Sequence, residues 1–449
     1  MENKLKQFSF LDILVIIIGI LALTTLIMLL LFKPIIENRY YRLGEELISK
    51  NNINQALKEI NYALKLNYES SKLHEILGRI YIYKKDYLLS IKELEKAIEI
   101  DNNNYYAYLY LGISYYQQGK YNESINQLEK AISLDIENKN NSQAFYYIAK
   151  SYYNQGFTDL SILKLEDAIK IDEKNSEAFF ELGKIYFEKQ NIEKSIEYLN
   201  KSLLIKNTPD TNYYLGLCYE NLGQLDNSIY YLKEAIRLNF SDNNIYYILG
   251  NIYFKKSLYQ EAIIEYEKFV KNNPNDAISR YKLGNLYFNI GNYKYALEHY
   301  NKAISIDSTY KEILKYNIKE ASNIIKVKNN IKKFQKLLED FYLKNNHYPE
   351  NIDKIYKNED YLNYCKKMFN PYKNSNYFYD LFVDYNNYLE NKNKFIFSGY
   401  IVYEPINYKN KFYQAYKLYA IDGNNNFIKY NSKDLIISNN SIVDEYEKK

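Results

Sequence analysis

Three histidines, two cysteines and one acidic turn are the places where this sequence could carry chemistry. His74 and His299 fall in segments of helical periodicity and His347 in a polar turn, with no second histidine at metal-ligand spacing, so each reads as packing or surface. Cys218 and Cys365 are far apart in segments of different character, which indicates neither a disulfide framework nor a thiolate metal site. Asp422-Gly423-Asn424-Asn425-Asn426 alternates oxygen donors as a calcium loop does. Phe427 follows it, however, and no bidentate glutamate closes a loop of the required length, so Asp-Gly turn chemistry is the better reading. Of the 14 glycines, seven recur at one place in a repeat, four sit in turns and Gly19, Gly399 and Gly423 stand elsewhere, leaving none to cradle a phosphate. Acid, base and nucleophile never converge, and the expectations are no enzyme, no cofactor and no metal.

What the residue types do support is recognition. One row of aromatics contains Tyr41, Tyr146, Phe180, Tyr213, Tyr247 and Tyr281, and a second contains Tyr116, Tyr153, Phe187, Phe254 and Phe288. Between the rows run Glu45, Arg79, Lys150, Lys184, Asn251 and Asn285. Rings bury large areas, and a few polar groups can satisfy a peptide backbone, so such a face suits an extended peptide or a partner helix. The competing reading is that individual rings pack against neighbouring elements, in a chain holding 55 tyrosines and no tryptophan.

The elements that would position these rows announce themselves by period. A glycine or alanine recurs at 44, 78, 112, 149, 183, 216, 250 and 284, with spacings of 34, 34, 37, 34, 33, 34 and 34. Three residues later come Leu47, Tyr81, Tyr115, Tyr152, Tyr186, Tyr219, Tyr253 and Tyr287. Twelve later come Ala56, Ser90, Ser124, Ser161, Ser195, Ser228, Ala262 and Ala296, and a further small residue follows in all but one repeat, where Phe269 stands. This pattern resembles the tetratricopeptide repeat (TPR) family over residues 37–310. The resemblance implies helix–turn–helix units in which small residues on the first helix face small residues on the second, each pair leaving an apolar face that the next covers. It also implies that the two aromatic rows line a concave groove. The Lys/Asn/Arg clamp by which some members grip a C-terminal carboxylate is not assembled, because Asn251 and Asn285 lack matching basic residues.

On either side of the array the character changes. Residues 10–32 carry one charge in a run long enough to span about 30 Å of hydrocarbon as a helix, and are expected to be a transmembrane anchor rather than a cleaved signal. Lys4 and Lys6 on one side and Lys33, Arg39, Arg42 and Lys50 on the other leave orientation undecided by charge. Residues 311–325 are expected to cap the array, and 326–449, with Tyr348-Pro349, Asn370-Pro371-Tyr372, Asn376-Tyr377 and the run from Tyr416 to Gly423, to form a small α+β domain. These motifs resemble pseudopilin and type IV pilin-like heads, and Phe8 to Asp12 resembles the pilin-type amino terminus, with Gln7 in place of the glycine that prepilin peptidase requires.

The fold class expected is therefore mainly α: a tail over 1–9, one transmembrane helix over 10–32, a right-handed α-solenoid of about eight repeats over 37–310, then a small α+β domain. With Lys+Arg 59 against Asp+Glu 55 and both signs interspersed, the net charge of +4 argues against nucleic acid. The partners expected are other proteins or peptide segments, with the membrane reached through the amino-terminal helix and no small-molecule substrate. The expected site comprises Tyr146, Lys150, Tyr153, Phe180, Lys184, Phe187, Tyr213, Tyr247, Asn251, Phe254, Tyr281, Asn285 and Phe288. The expected placement is a bacterial-type inner membrane with the array outside the cytoplasm, and the function that of a scaffold. A structural part of a secretion or pilus-like envelope assembly is the alternative.

Overall fold

The computed structural model describes residues 10–65, 70–135, 141–351, 353–365, 368 and 370–371, together with the backbone of six short strands between 382 and 438. The tail 1–9, most of the loop at 137–141, Tyr372, Asn376-Tyr377 and the Asp422-Gly423 turn lie outside the described residues. Two units divide the chain, Met1–Phe240 and Ser241–Lys449.

The first unit is a succession of helix pairs: α1 (Phe10–Ser49) with α2 (Ile53–Lys65), α3 (Ser71–Tyr83) with α4 (Tyr87–Ile100), α5 (Tyr105–Gln117) with α6 (Tyr121–Leu134), α7 (Ser142–Asn154) with α8 (Thr158–Ile171), α9 (Ser176–Glu188) with α10 (Ile192–Ile205), and α11 (Pro209–Asn221) with α12 (Leu225–Arg237). The second unit continues with α13 (Asn244–Lys255) and α14 (Tyr259–Asn272), α15 (Ala277–Asn289) and α16 (Tyr293–Ile306), then the long α17 (Tyr310–Asn345) and the short α18 (Asp353–Tyr356) and α19 (Glu359–Cys365). Within each pair the turn needs one residue of left-handed backbone. Gly119, Gly156, Gly223 and Gly291 supply it at φ 71–85°, whereas Asn51, Lys85, Gln190 and Ser257 adopt it at φ 57–61° despite carrying a side chain.

The helices of a pair cross where the periodic glycine stands, and the geometry amends the small-on-small expectation. A Cβ on Gly78, Gly112, Gly183 or Gly216 would lie 2.4–2.6 Å from Cγ of Leu94, Leu128, Leu199 or Leu232, so glycine makes room for a leucine and not for another small side chain. The small residue has a different task. Ser195 and Ser228 donate to the carbonyls of Gly183 and Gly216, each at 2.7 Å. Ser195 also meets Cys218 at 3.2 Å, as Ser90 meets Ser114 at 2.8 Å and Ser124 meets Ser151 at 3.3 Å, so these buried hydroxyls join one pair to the next. Cys218 is thereby a packing residue, and burial pushes its thiol pKa up.

Neighbouring pairs in the first unit are also clasped by asparagines. Asn104 caps α5 by accepting from the Ala107 N–H at 3.0 Å, while its amide donates at 2.8 Å to Ser71, whose hydroxyl donates at 2.7 Å to the Ala97 carbonyl at the end of α4. Asn175, Ser142 and Ala168 repeat the arrangement two pairs later, each bond at 2.9 Å. The asparagine satisfies one orphan N–H of the helix it caps and, through the serine hydroxyl, ties that end to the last turn of a neighbouring pair's second helix.

Two expectations are corrected here. The span 10–32 opens α1, yet α1 does not stop at Phe32: it runs through Pro34 to Ser49 and packs Tyr40, Tyr41, Leu47 and Ile48 into the core of the first pairs. Among the described residues no helix is long and apolar enough to cross a membrane, so the single-pass anchor and the inner-membrane placement built on it do not stand. The separate cap and α+β domain with a pilin-like head are corrected as well. Position 326 is in the middle of α17, whose Ala321, Ile324, Val327, Ile331 and Phe334 share one buried cluster with Tyr293 of the last pair.

Beyond α17 the described backbone contains β1 (Phe382–Asp384), β2 (Ile401–Lys409), β3 (Phe412–Ala420), β4 (Lys429–Tyr430), β5 (Lys433–Asp434) and β6 (Ile436–Ser438). β2 and β3 pair antiparallel from Ile401↔Ala420 to Lys409↔Phe412, with β1 and β6 on their outer edges. Leu418, on β3, joins the same α17 cluster, so this strand packs on the helix that follows the last repeat. What stands is a mainly α-helical repeat.

Candidate functional site

In the first unit, α7, α9 and α11 bring the expected residues onto neighbouring helix faces. Tyr146, Lys150, Tyr153, Phe180, Lys184, Phe187 and Tyr213 are all half-buried, each ring giving part of its surface to packing and keeping part accessible. Lys150 stands over the rings of Tyr146 at 5.3 Å and Tyr116 at 5.4 Å, and Lys184 over Tyr153 at 5.3 Å. Between the two ammonium groups lies Glu181, 3.7 Å from each. Tyr214 links the aromatic rows: its ring packs edge-on against Phe180 at 5.6 Å, Phe187 at 5.8 Å and Tyr213 at 5.6 Å. Tyr213 in turn stacks on Phe240 at 4.3 Å. Phenol ionisation is suppressed at Tyr146 and Tyr153. Burial first, then Glu181, raises the Tyr146 pKa, and burial first, then the hydrogen bond its hydroxyl gives to Glu188, raises that of Tyr153.

In the second unit the same register is occupied differently. The glycines of α13 and α15 face Tyr266 and Tyr300 where the first unit has leucines. Their hydroxyls reach across the pair and donate to Oδ1 of Asn251 at 2.6 Å and of Asn285 at 2.9 Å. Lys282 also donates to Asn251 and, at 2.8 Å, to the Tyr247 hydroxyl, while Asn317 of α17 donates to Asn285 at 3.4 Å. The two asparagine carbonyls expected to greet a peptide backbone are therefore engaged within the protein. Tyr247 packs on Tyr266 and Phe269, Tyr281 on Tyr310, and Phe288 on Tyr293; Phe254, 47% accessible, is the exposed member of this set.

Nearer the amino terminus, Arg79 lies 4.7 Å over the Tyr110 ring and bonds Glu45 at 3.2 Å and Glu75 at 3.5 Å. Glu75 is 1% exposed, and burial pushes its carboxyl up to about 7 against the pull of Arg79. His74 is held by Glu93 at 2.7 Å, His299 stacks on Tyr287, and His347 bonds the Tyr348 carbonyl. Among the described residues no group of three His, Cys, Asp or Glu side chains is arranged to hold a metal.

Family models match the repeats that carry these residues. Models of the tetratricopeptide repeat match residues 105–138, 146–211 and 277–310, and a TPR repeat model matches 78–119 and 250–291. The chain is a tetratricopeptide-repeat protein. A model described as anaphase-promoting complex, cyclosome, subunit 3 matches TPR residues 188–269. Among solved structures, this TPR chain is similar to pilF of Pseudomonas aeruginosa at 16% identity, covering 47% of this chain and 95% of that one with a TM-score of 0.43. It is similar to MamA at 27% identity, covering 36% and 93% with a TM-score of 0.32. A third is YrrB, described as a TPR protein with an unusual peptide-binding site, at 18% identity, covering 42% and 96% with a TM-score of 0.33. No curated protein matches the chain. TPR repeats are generally non-catalytic scaffolds for protein interaction.

Glu181, Tyr214 and Lys282 belong to the TPR faces described above and were missed by the sequence reading. They share one register, two residues before the periodic small residue, and counting that column would have found them.

Proposed function

We propose that this TPR chain is a scaffold that holds a partner protein or peptide segment along a groove lined by its first helices. The observation that carries this reading is the set of half-buried rings on α7, α9 and α11, Tyr146, Tyr153, Phe180, Phe187 and Tyr213, crossed by Lys150 and Lys184. Half-buried aromatics are already ordered by packing, so covering their open faces loses little side-chain freedom and removes a large apolar area from water. Within the second unit, Tyr247, Phe254, Tyr281 and Phe288 offer a separate aromatic surface, in which Asn251 and Asn285 accept from tyrosine hydroxyls.

Selection of a displayed peptide library on the full chain tests the reading. Enriched peptides are expected to lose about tenfold or more in affinity when Tyr146 and Phe187 are replaced by alanine, since aromatic anchors dominate such contacts. Leu204→Ala, on a second helix and 87% exposed, is expected to change nothing. Peptides that ignore Tyr146→Ala and Phe187→Ala but respond to Leu204→Ala would place binding on the other face.

A further inference from the structure

Three charged groups meet between α7 and α9, and they do not balance. Lys150 Nζ lies 3.7 Å from one carboxylate oxygen of Glu181, and Lys184 Nζ lies 3.7 Å from the other. Two ammonium groups thus share one carboxylate, which leaves one positive charge in excess. Neither contact is short enough to be a hydrogen bond, and among the described residues no acceptor lies within hydrogen-bond reach of either ammonium group. The side chains of Lys150, Lys184 and Glu181 keep only 28%, 27% and 14% of their surface accessible, so water screens and solvates them in part. No neighbouring carboxylate makes up the difference. Along α9, Glu177 pairs with Lys206 at 3.6 Å and Glu188 accepts from the Tyr153 hydroxyl, while α7 carries no acidic residue.

Rings fix where the excess charge is presented. Lys150 stands over Tyr146 and Lys184 over Tyr153, so both ammonium groups are held at the aromatic rows rather than swung out to solvent. We infer that, given the groove binding proposed above, this stretch takes an extended partner segment bearing aspartate or glutamate, its side-chain carboxylate lodged between Lys150 and Lys184. That carboxylate gives the two ammonium groups the acceptor they lack and brings two positive charges against two negative ones. A side chain fits better than a chain end, because the Asn154 amide, one turn along α7 from Lys150, already donates to the Tyr116 hydroxyl at 3.3 Å and the Lys150 carbonyl at 2.8 Å. A basic segment meets the uncompensated charge, so the same two lysines select against it. Glu181 is then a like charge beside the lodged carboxylate and limits how tightly it is held.

Fluorescence anisotropy with the full chain tests this, using three dye-labelled, C-terminally amidated peptides of Leu, Tyr and Ser that are identical except for Glu, Gln or Lys at the centre. The expected order is Glu over Gln over Lys, with about tenfold between the first two at low salt and a smaller margin at high salt. The Lys150→Gln, Lys184→Gln double variant is expected to bring the Glu and Gln peptides to equal affinity. Glu181→Gln is expected to widen the Glu advantage by about threefold or more, a gain that an ion-pair network serving the fold alone would not give. Circular dichroism checks that both variants retain their helices. Equal binding of all three peptides, a Glu advantage that survives the double substitution, or one that Glu181→Gln fails to widen, overturns the inference and leaves groove binding standing. A Gln peptide that gains from a free terminal carboxylate, with no gain from the central Glu, assigns the lysines to a chain end and overturns it as well. Failure of all three to bind removes groove binding and the inference with it.

Discussion

Lys85 and Gln190 occupy, with full side chains, a turn position that four other repeats give to glycine. Left-handed backbone costs an ordinary residue about 1–2 kcal/mol, partly offset by the extra freedom glycine has when unfolded. Lys85→Gly is therefore expected to stabilise the protein by about 0.5–1 kcal/mol, read as a higher urea midpoint at unchanged slope. Titration separates two other residues by sign. Glu75 has its pKa raised by burial from 4.5 to about 7, so its stabilising contribution is complete below 4.5 and is lost as pH rises through 7. His299 is depressed by burial, then by Arg280, from 6.5 to about 4, so its contribution is complete above 6.5 and is lost as pH falls through 4. Hydrogen exchange followed against pH is expected to show α3 loosening toward alkaline pH and α16 toward acid. Glu75→Gln should flatten the first trend and His299→Gln the second. A trend in α3 that persists in Glu75→Gln would assign it to another group.

At the scale of the helix pair, the closeness of each crossing sets the cost of a methyl group. A Cβ on Gly284 would lie 2.4 Å from the Tyr300 ring, whereas one on Gly250 would lie 3.0 Å from Tyr266. Gly284→Ala is expected to cost about 1–3 kcal/mol, as overpacking of a filled core does, and Gly250→Ala measurably less; equal losses in urea denaturation would show that the crossing, not the contact, is at fault. The asparagine clasp belongs to the same scale. Removing the Asn104 amide leaves the α5 terminus uncapped and Ser71 without its donor, so Asn104→Ala should destabilise by about 1–2 kcal/mol. Exchange is expected to accelerate at the α4–α5 junction and much less at α7 to α9, where Asn175 forms the clasp independently.

Over the whole molecule, each repeat draws its stability from its neighbours, and the first unit holds its cores within its own bounds. One cluster joins α1, α2 and α3, and others follow through α12. A chain ending at Phe240 is therefore expected to remain helical by circular dichroism and to unfold cooperatively in urea. A featureless transition would show that the first unit leans on the rest of the chain. In the second unit, α17 and the strand residue Leu418 share one cluster with Tyr293, so truncation at Ile325 should expose the last repeat and not merely trim an appendage.

The repeat itself was legible because a residue at a helix crossing is constrained by contact and recurs with the register: the glycines at 78, 112, 183 and 216 mark it without reference to any coordinates. The same counting placed Tyr146, Tyr153, Phe180 and Phe187 on first helices. It failed wherever a partner lies at long range in sequence. No local pattern says that Tyr266 and Tyr300 will spend Asn251 and Asn285, that Glu181 will stand between Lys150 and Lys184, or that α17 will bury its length against Tyr293 instead of ending as a cap. Apolar content likewise suggested an anchor at 10–32, while the continuous course of α1 into the first repeat appears only in the fold. Periodicity is a local property that the sequence alone determines; which side chain satisfies which is fixed by packing between helices, and only the tertiary structure decided it.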